Sequence, residues 1–186
     1  RPDAQRLVVE SLDAAYRVAE TLYHQARFEE AVVVLKQIGG REDLPLNKRM
    51  EARVQQGVCE LENGQSDAAE STLRKVMSQW QDLADKDLVD DYFPAQAQFF
   101  MGEIYRLHYE GVTLDANKTS DQLAKDVEYK AELLLSAQGH YLRAIRIGNG
   151  YWAPAAGAQI GGLYENLYDH MIHAPAPSDL GKDEGE

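Results

Sequence analysis

The stretch Gly57-Val58-Cys59-Glu60-Leu61-Glu62-Asn63-Gly64-Gln65-Ser66-Asp67-Ala68-Ala69 decides the fold. It reads as the end of one helix, a turn and the start of the next. Asn63-Gly64 predicts a turn where a left-handed backbone is easy for both residues, and Ser66 with Asp67 is expected to cap and charge the helix that follows. Small residues stand on both sides, Gly57 before the turn and Ala69 after it, 12 positions apart. Leu73 and Val76 then follow Ala69 four and seven positions on. The same order occurs upstream as Ala19, Ala31, Leu35 and Ile38, again with a gap of 12. Downstream it returns as Gly102, Ala137, Tyr141 and Ala144, now with a gap of 35. Small residues are needed where the two helices of a hairpin approach closely, and the apolar ones fill the layer between hairpins.

Outward from this stretch the apolar residues keep helical spacing, and no segment alternates as a strand would. Even Val32-Val33-Val34 lies inside a helical pattern that opens at Phe28 and stops at Gly39-Gly40. The pattern predicts helices over about 3–24, 28–38, 48–62, 66–80 and 94–109. Loop 41–47 contains Pro45, and an acidic connector runs from Asp82 to Asp91. The third pair carries 23 additional residues. Part of them is the loop Gly111 to Ser120, where Thr119-x-x-Gln122 predicts a capping box. The stripe Leu123, Val127, Ala131, Leu134, Tyr141 and Ile145 then predicts one helix of about 28 residues ending at Gly148. At ~1.5 Å per residue it spans roughly 40 Å, and it is expected to overhang its partner. A last helix runs from Tyr151 to about His173, and its Gly161-Gly162-Leu163-Tyr164 echoes Gly102-Glu103-Ile104-Tyr105. The expected fold is all-α, a helical-hairpin solenoid of about three helix pairs plus a C-terminal helix. It forms a single domain over 1–173, followed by a flexible acidic tail or linker over 174–186.

At 186 residues and 44% apolar the chain can build a core without staples. One cysteine, Cys59, excludes an intramolecular disulfide framework. The net charge of −12 lacks the Lys and Arg excess that nucleic acid or an anionic membrane surface requires. No run of eighteen apolar residues is present, so no membrane insertion is expected. The chain opens Arg1-Pro2 rather than with methionine, which reads as an excised fragment or a processed product.

These residues resemble the tetratricopeptide (TPR) repeat, with its small residues at the eighth, twentieth and twenty-seventh positions. Tyr23-His24-Gln25-Ala26-Arg27-Phe28-Glu29-Glu30-Ala31 is similar to the middle of such a unit, and Gly57 to Gly64 to the first helix and turn of the next. The likeness is good over 12–80 and split over 95–110 and 132–165. Successive eighth positions lie 38, 45 and 59 residues apart, against about 34 in the family. From Tyr141 through Trp152 to Pro177 the chain also resembles TPR proteins of the deltaproteobacterial cell envelope, some tied to gliding motility.

The TPR resemblance implies a groove lined by first helices, and so a binding function. Carried over residue by residue, it implies groove positions at Asp13, Tyr16, Glu20, Tyr23 and His24 in the first unit. In the second unit they are Glu51, Val54, Val58, Leu61 and Glu62, and in the third Gln96, Phe99, Glu103, Arg106 and Leu107. The expected contacts to a protein or peptide partner are Tyr16, Glu20, Tyr23, Phe99, Glu103 and Arg106, with Trp152 as a further anchor. Aromatics interleaved with carboxylates suit an extended segment with apolar anchors and basic residues. A carboxylate clamp is disfavoured, since its Lys and Asn positions hold Tyr16 and Glu20.

Catalysis finds little support. Asp169-His170-x-x-His173 places two imidazoles on one helix face but lacks a completing His-Glu-x-x-His. Cys59 sits where core packing is expected, and Gly148-x-Gly150 is no dinucleotide fingerprint. No catalytic residue, cofactor or metal is assigned. The expectation is a non-enzymatic scaffold or adaptor in a multi-component assembly, placed in the envelope or periplasm before the cytoplasm, with a monomer as the expected state. A self-associating element built on the C-terminal half, with Tyr151-Trp152 as docking edge, is the alternative. A metal-dependent enzyme is the remote one.

Overall fold

The computed structural model of the chain describes residues 2–115 and 117–174, with side chains over 10–87, 89–115 and 117–174. Its helices are α1 Pro2–His24, α2 Phe28–Gly39, α3 Leu46–Glu62, α4 Ser66–Gln81, α5 Tyr92–Gly111, α6 Ser120–Ile147 and α7 Trp152–Ile172. Among the described residues there is no strand, and the protein is all-α. Contacts divide the chain into two compact units, Arg1–Phe100 and Met101–Glu186, with the boundary inside α5. The sequence alone reads as one domain over 1–173. Of the expected tail, residues 175–186 lie outside the described residues.

In the first unit each helix packs on the next, α1 on α2, α2 on α3 and α3 on α4. Two turns of one construction produce the first and the last of these packings. Arg27 N–H reaches the Leu22 carbonyl and Ala26 N–H that of Tyr23, both at 2.9 Å. Gln65 N–H reaches Glu60 and Gly64 N–H reaches Leu61 with the same spacing, also at 2.9 Å. Both are Schellman turns, which consume the last carbonyls of a helix and require one left-handed residue. That residue is Gly64 at φ 73° in the second turn and Ala26 at φ 57° in the first. Asn63 stays right-handed at φ −81°, so glycine alone takes the left-handed place.

The small residues do what their spacing predicts. A Cβ on Gly57 would lie 2.8 Å from Leu73 Cγ and Cδ2 and 3.6 Å from the Ala69 carbonyl oxygen. Ala19, Ala31 and Leu35 are buried together with Leu12, Leu22 and Ile38 in the core of the first hairpin. Two helix starts come earlier than the sequence suggests. Helix α3 leaves directly from extended Pro45 (φ −53°, ψ 142°), and α5 begins two residues before Pro94. Proline is tolerated there because a first-turn N–H has no intrahelical partner to lose. The acidic connector holds a short 3-10 turn at Lys86–Leu88. Its Lys86 ammonium closes the end of α4, donating to the Gln81 and Leu83 carbonyls at 2.8 and 3.0 Å.

In the second unit Gly102 meets Tyr141, whose ring atoms would stand 2.5 to 2.9 Å from an added Cβ. The 23 extra residues of this pair can be apportioned. Helix α5 runs nine residues past Gly102 where α3 runs five past Gly57, and the connection is eight residues instead of three. The other fourteen lengthen α6, which starts 17 residues before Ala137, while α4 starts three before Ala69. The capping box is present: Gln122 N–H donates to Thr119 Oγ1 at 3.4 Å and Thr119 N–H to Gln122 Oε1 at 3.2 Å. Gly148 ends α6 left-handed at φ 89°, and α7 packs along α6.

The predicted stripe of α6 is corrected over its first half. Leu123 is buried, but Val127 is 51% exposed and Ala131 is exposed as well. The buried face runs instead through Leu123, Lys130, Leu133, Leu134 and Ala137. Lys130 turns it, because its ammonium donates to the Tyr109 and Val112 carbonyls at 2.8 and 2.9 Å. It also lies 4.1 Å from the centre of the Tyr109 ring. A cation at the carbonyl end of α5 is favoured by the helix dipole, and its aliphatic stem covers the ring.

Candidate functional site

Between α1 and α3 the first unit opens a cleft of about 430 Å³ lined by Tyr16, Glu20, Tyr23 and His24 from α1 and by Glu51, Gln55 and Cys59 from α3. Its floor is Ala19 and Leu35, so the small residue that lets α1 approach α2 also makes the depression. Glu20, Tyr23, Gln55 and Cys59 reach the same space because residues three, four and seven apart share a helix face.

Tyr16 is half-buried, and its hydroxyl donates to the Lys48 carbonyl at 2.7 Å. The Lys48 ammonium lies 5.5 Å from the centre of the Tyr16 ring and pairs with Glu51 Oε2 at 2.9 Å. One cation is thus already held between an aromatic face and a carboxylate at the rim. Burial and the nearby Glu51 hold the Tyr16 hydroxyl well above the usual phenol range. Tyr23 packs edge-on to Phe28 at 5.5 Å, and burial raises its pKa with help from Glu62. Glu20 is exposed, 3.9 Å from His24 Nε2. The Cys59 thiol is buried and pushed up to about 11 by burial, then by Glu60 and Glu62. It stays protonated at neutral pH and lines the cleft as a small apolar group. The cleft therefore offers two ring faces and a surplus of carboxylate, a setting for cationic and apolar side chains.

The other expected contacts stand elsewhere. Phe99 is only 9% exposed and packs edge-on to Phe100, a core side chain of the first unit. In the second unit Glu103 accepts from the Tyr141 hydroxyl at 2.5 Å and pairs with Arg106 at 2.7 Å. Arg106 also reaches Glu110 at 2.6 Å, and these carboxylates hold its guanidinium even more firmly protonated than usual. Trp152 is 7% exposed at the start of α7, where Asn149 Oδ1 accepts from the Tyr151 and Trp152 N–H groups at 3.1 and 3.2 Å. Its neighbour Tyr151 is the exposed ring, at 65%. Tyr16, Glu20 and Tyr23 share one cleft, whereas Phe99 and Trp152 are buried and Glu103 and Arg106 bind each other.

Lys130 was not legible as special, since an Asp-x-x-x-Lys spacing on a long helix reads as solvated surface. The signal was there only in outline: its place one turn from Leu134 and Leu123's face. Among the described residues no group of three or more His, Cys, Asp or Glu is placed to hold a metal. Nor is any described helix long and apolar enough to cross a membrane.

Fold and cleft together define the class: an all-α protein with a tyrosine- and carboxylate-lined cleft in its first unit. No family model matches the chain, and no curated protein or solved structure matches it either.

Proposed function

We propose that the protein is a non-catalytic scaffold of TPR type that grips an extended segment of a protein partner in the cleft between α1 and α3. One observation carries this reading. Residues chosen for their groove positions, Tyr16, Glu20, Tyr23, His24 and Glu51, line a single cleft. The two tyrosine rings receive apolar or cationic side chains, and the carboxylates Glu20 and Glu51 on the same walls favour Lys or Arg beside them. An envelope assembly as its setting rests on the weaker of the two family resemblances.

Selection from a displayed peptide library tests it. Segments with a basic residue next to an apolar one are expected to be enriched, and Glu20→Lys with Glu51→Lys should lose them. Both carboxylates are on helix surfaces, so melting should stay within a few degrees of the parent. Retention of the same peptides by the doubly reversed variant would refute the reading.

A second reading, self-association, is favoured by α7. Tyr164, Tyr168, Met171 and Ile172 are 45 to 69% exposed and follow one another at helical spacing. Light scattering separates the two readings: a monomer at high micromolar concentration removes self-association.

A further inference from the structure

The net charge of −12 hides a local exception in the first unit. A cleft of about 400 Å³ lies among the end of α2, α3 and α4, and its cations are Lys36, Arg53 and Lys75. Thr72, Ser78 and Gln79 add hydroxyl and amide groups, and no carboxylate lines it. With 31 acidic residues against 19 Lys and Arg in the chain, three cations grouped without an acid run against composition. The cleft shares no lining residue with the one between α1 and α3.

Arg53 is the centre of this group. It is half-buried, and its guanidinium donates to the Gln79 side-chain oxygen, a neutral partner. Among the described residues neither Arg53, Lys36 nor Lys75 forms an ion pair. Arg49 stands one turn earlier on α3, with its Nε buried and without a hydrogen-bond partner. Like charges at this spacing repel, and a partly buried cation is costly without a counter-charge. Burial and Arg49 accordingly lower the Arg53 pKa. Local packing nevertheless makes room for Arg53. A Cβ on Gly39 would fall 2.9 Å from Arg53 Cγ, so the bare end of α2 is what the arginine stem lies against.

We infer that this cleft is a binding site for a phosphate-type dianion. The planar Arg53 fork matches two oxygens of such a group, and Lys36 and Lys75 neutralise its second charge. A carboxylate would satisfy Arg53 and leave both lysines uncompensated. Ligand sites usually run from about 300 to 1,000 Å³, so the space suits a diphosphate or a small phosphorylated molecule.

The probe is pyrophosphate, titrated calorimetrically into the full chain against chloride at matched ionic strength. One saturable site is expected, with Kd on the order of 0.1–1 mM. Lys36→Glu with Lys75→Glu, both exposed positions, should weaken it about tenfold or more. Arg53→Gln should weaken it as well. Phosphates also stabilise proteins by exclusion from their surface, so a melting shift counts only if the reversed variant loses it. Vesicles of phosphatidylcholine with phosphatidic acid separate the sources. Retention on them that pyrophosphate competes away assigns a lipid headgroup; pyrophosphate binding without retention assigns a soluble ligand; either supports the site. Absence of saturable binding in both arms, or equal binding by the Lys36→Glu/Lys75→Glu variant, overturns it.

Discussion

Replacing Gly102 by alanine tests the close approach on which the second unit is built. Alanine is normally the better helix residue, by about 0.8–1.0 kcal/mol, so a local view predicts a gain. The structure predicts a loss. The new Cβ would stand 2.5, 2.6 and 2.9 Å from three ring carbons of Tyr141. Carbon contacts are comfortable near 3.5–4.0 Å, so the ring must retreat by about 1 Å. It has nowhere free to go: Tyr141 is fully buried, and its hydroxyl is fixed on Glu103 at 2.5 Å. Overpacking of this kind costs about 1–3 kcal/mol. A loosened hydrogen bond to a charged acceptor adds about 1.5–3 kcal/mol. After the helix gain is subtracted, a net loss of about 1.5–5 kcal/mol is expected, or roughly 3–20 °C in melting temperature. Urea and thermal denaturation followed by circular dichroism measure it. Gly161→Ala is the control, because nothing beyond its chain neighbours and its own helix backbone lies within 4 Å of its added Cβ; it should gain up to about 1 kcal/mol. Shortening the ring with Tyr141→Leu in the Gly102→Ala background should recover part of the loss, which a double-mutant cycle quantifies. If Gly102→Ala matches Gly161→Ala, the close-approach reasoning is wrong.

Two further outcomes follow from the same geometry. Ala26→Gly should stabilise the first unit by up to about 1 kcal/mol in urea melts, since Ala26 holds at φ 57° the place that Gly64 fills in the second turn; an unchanged or lower midpoint refutes this. Burial and Glu103 keep the Tyr141 hydroxyl protonated far above the usual phenol range, so the folded state retains a proton that the unfolded chain gives up near pH 10. The associated stability is therefore present below pH 10 and lost as pH rises beyond it, by up to about 1.4 kcal/mol per pH unit. Tyr141→Phe should start less stable at pH 8 but decline less steeply between pH 10 and 11, and identical slopes would exclude Tyr141 as the source.

Much of the candidate site was readable before any fold was known, and the reason is local. Tyr16, Glu20 and Tyr23 follow one another at three- and four-residue spacing, so a helix alone puts them on one face. Which face opens into a cleft needed α3 opposite, and of its lining the repeat offset between Ala19 and Gly57 supplied only Glu51. Gln55 and Cys59 were not among the carried-over positions, and Val54, Val58 and Leu61, which were, are buried. Phe99 and Glu103 occupied analogous positions in the third repeat, which the 23-residue insertion makes unlike the first two, and Trp152 was chosen as an aromatic anchor with no repeat position behind it. Glu103 found Tyr141 across 38 residues, a pairing no local pattern encodes. The basic cleft was hidden for the same reason, since Lys36, Arg53 and Lys75 are scattered in sequence and overwhelmed by total charge.

By itself the sequence determined what short-range physics controls. Turn chemistry at Gly64 and Gly148, the Thr119 capping box and the 3.6-residue period set the helices and their ends to within about two residues. The spacing of Gly57, Ala69 and Leu73 also set which helices touch, because only a missing side chain lets backbones come that close. The tertiary structure alone decided which stripe of α6 faces inward. Rotating a helix by one position changes its period not at all, and the choice fell to Lys130, drawn in by the carbonyl end of α5 that lies 18 to 21 residues away in sequence.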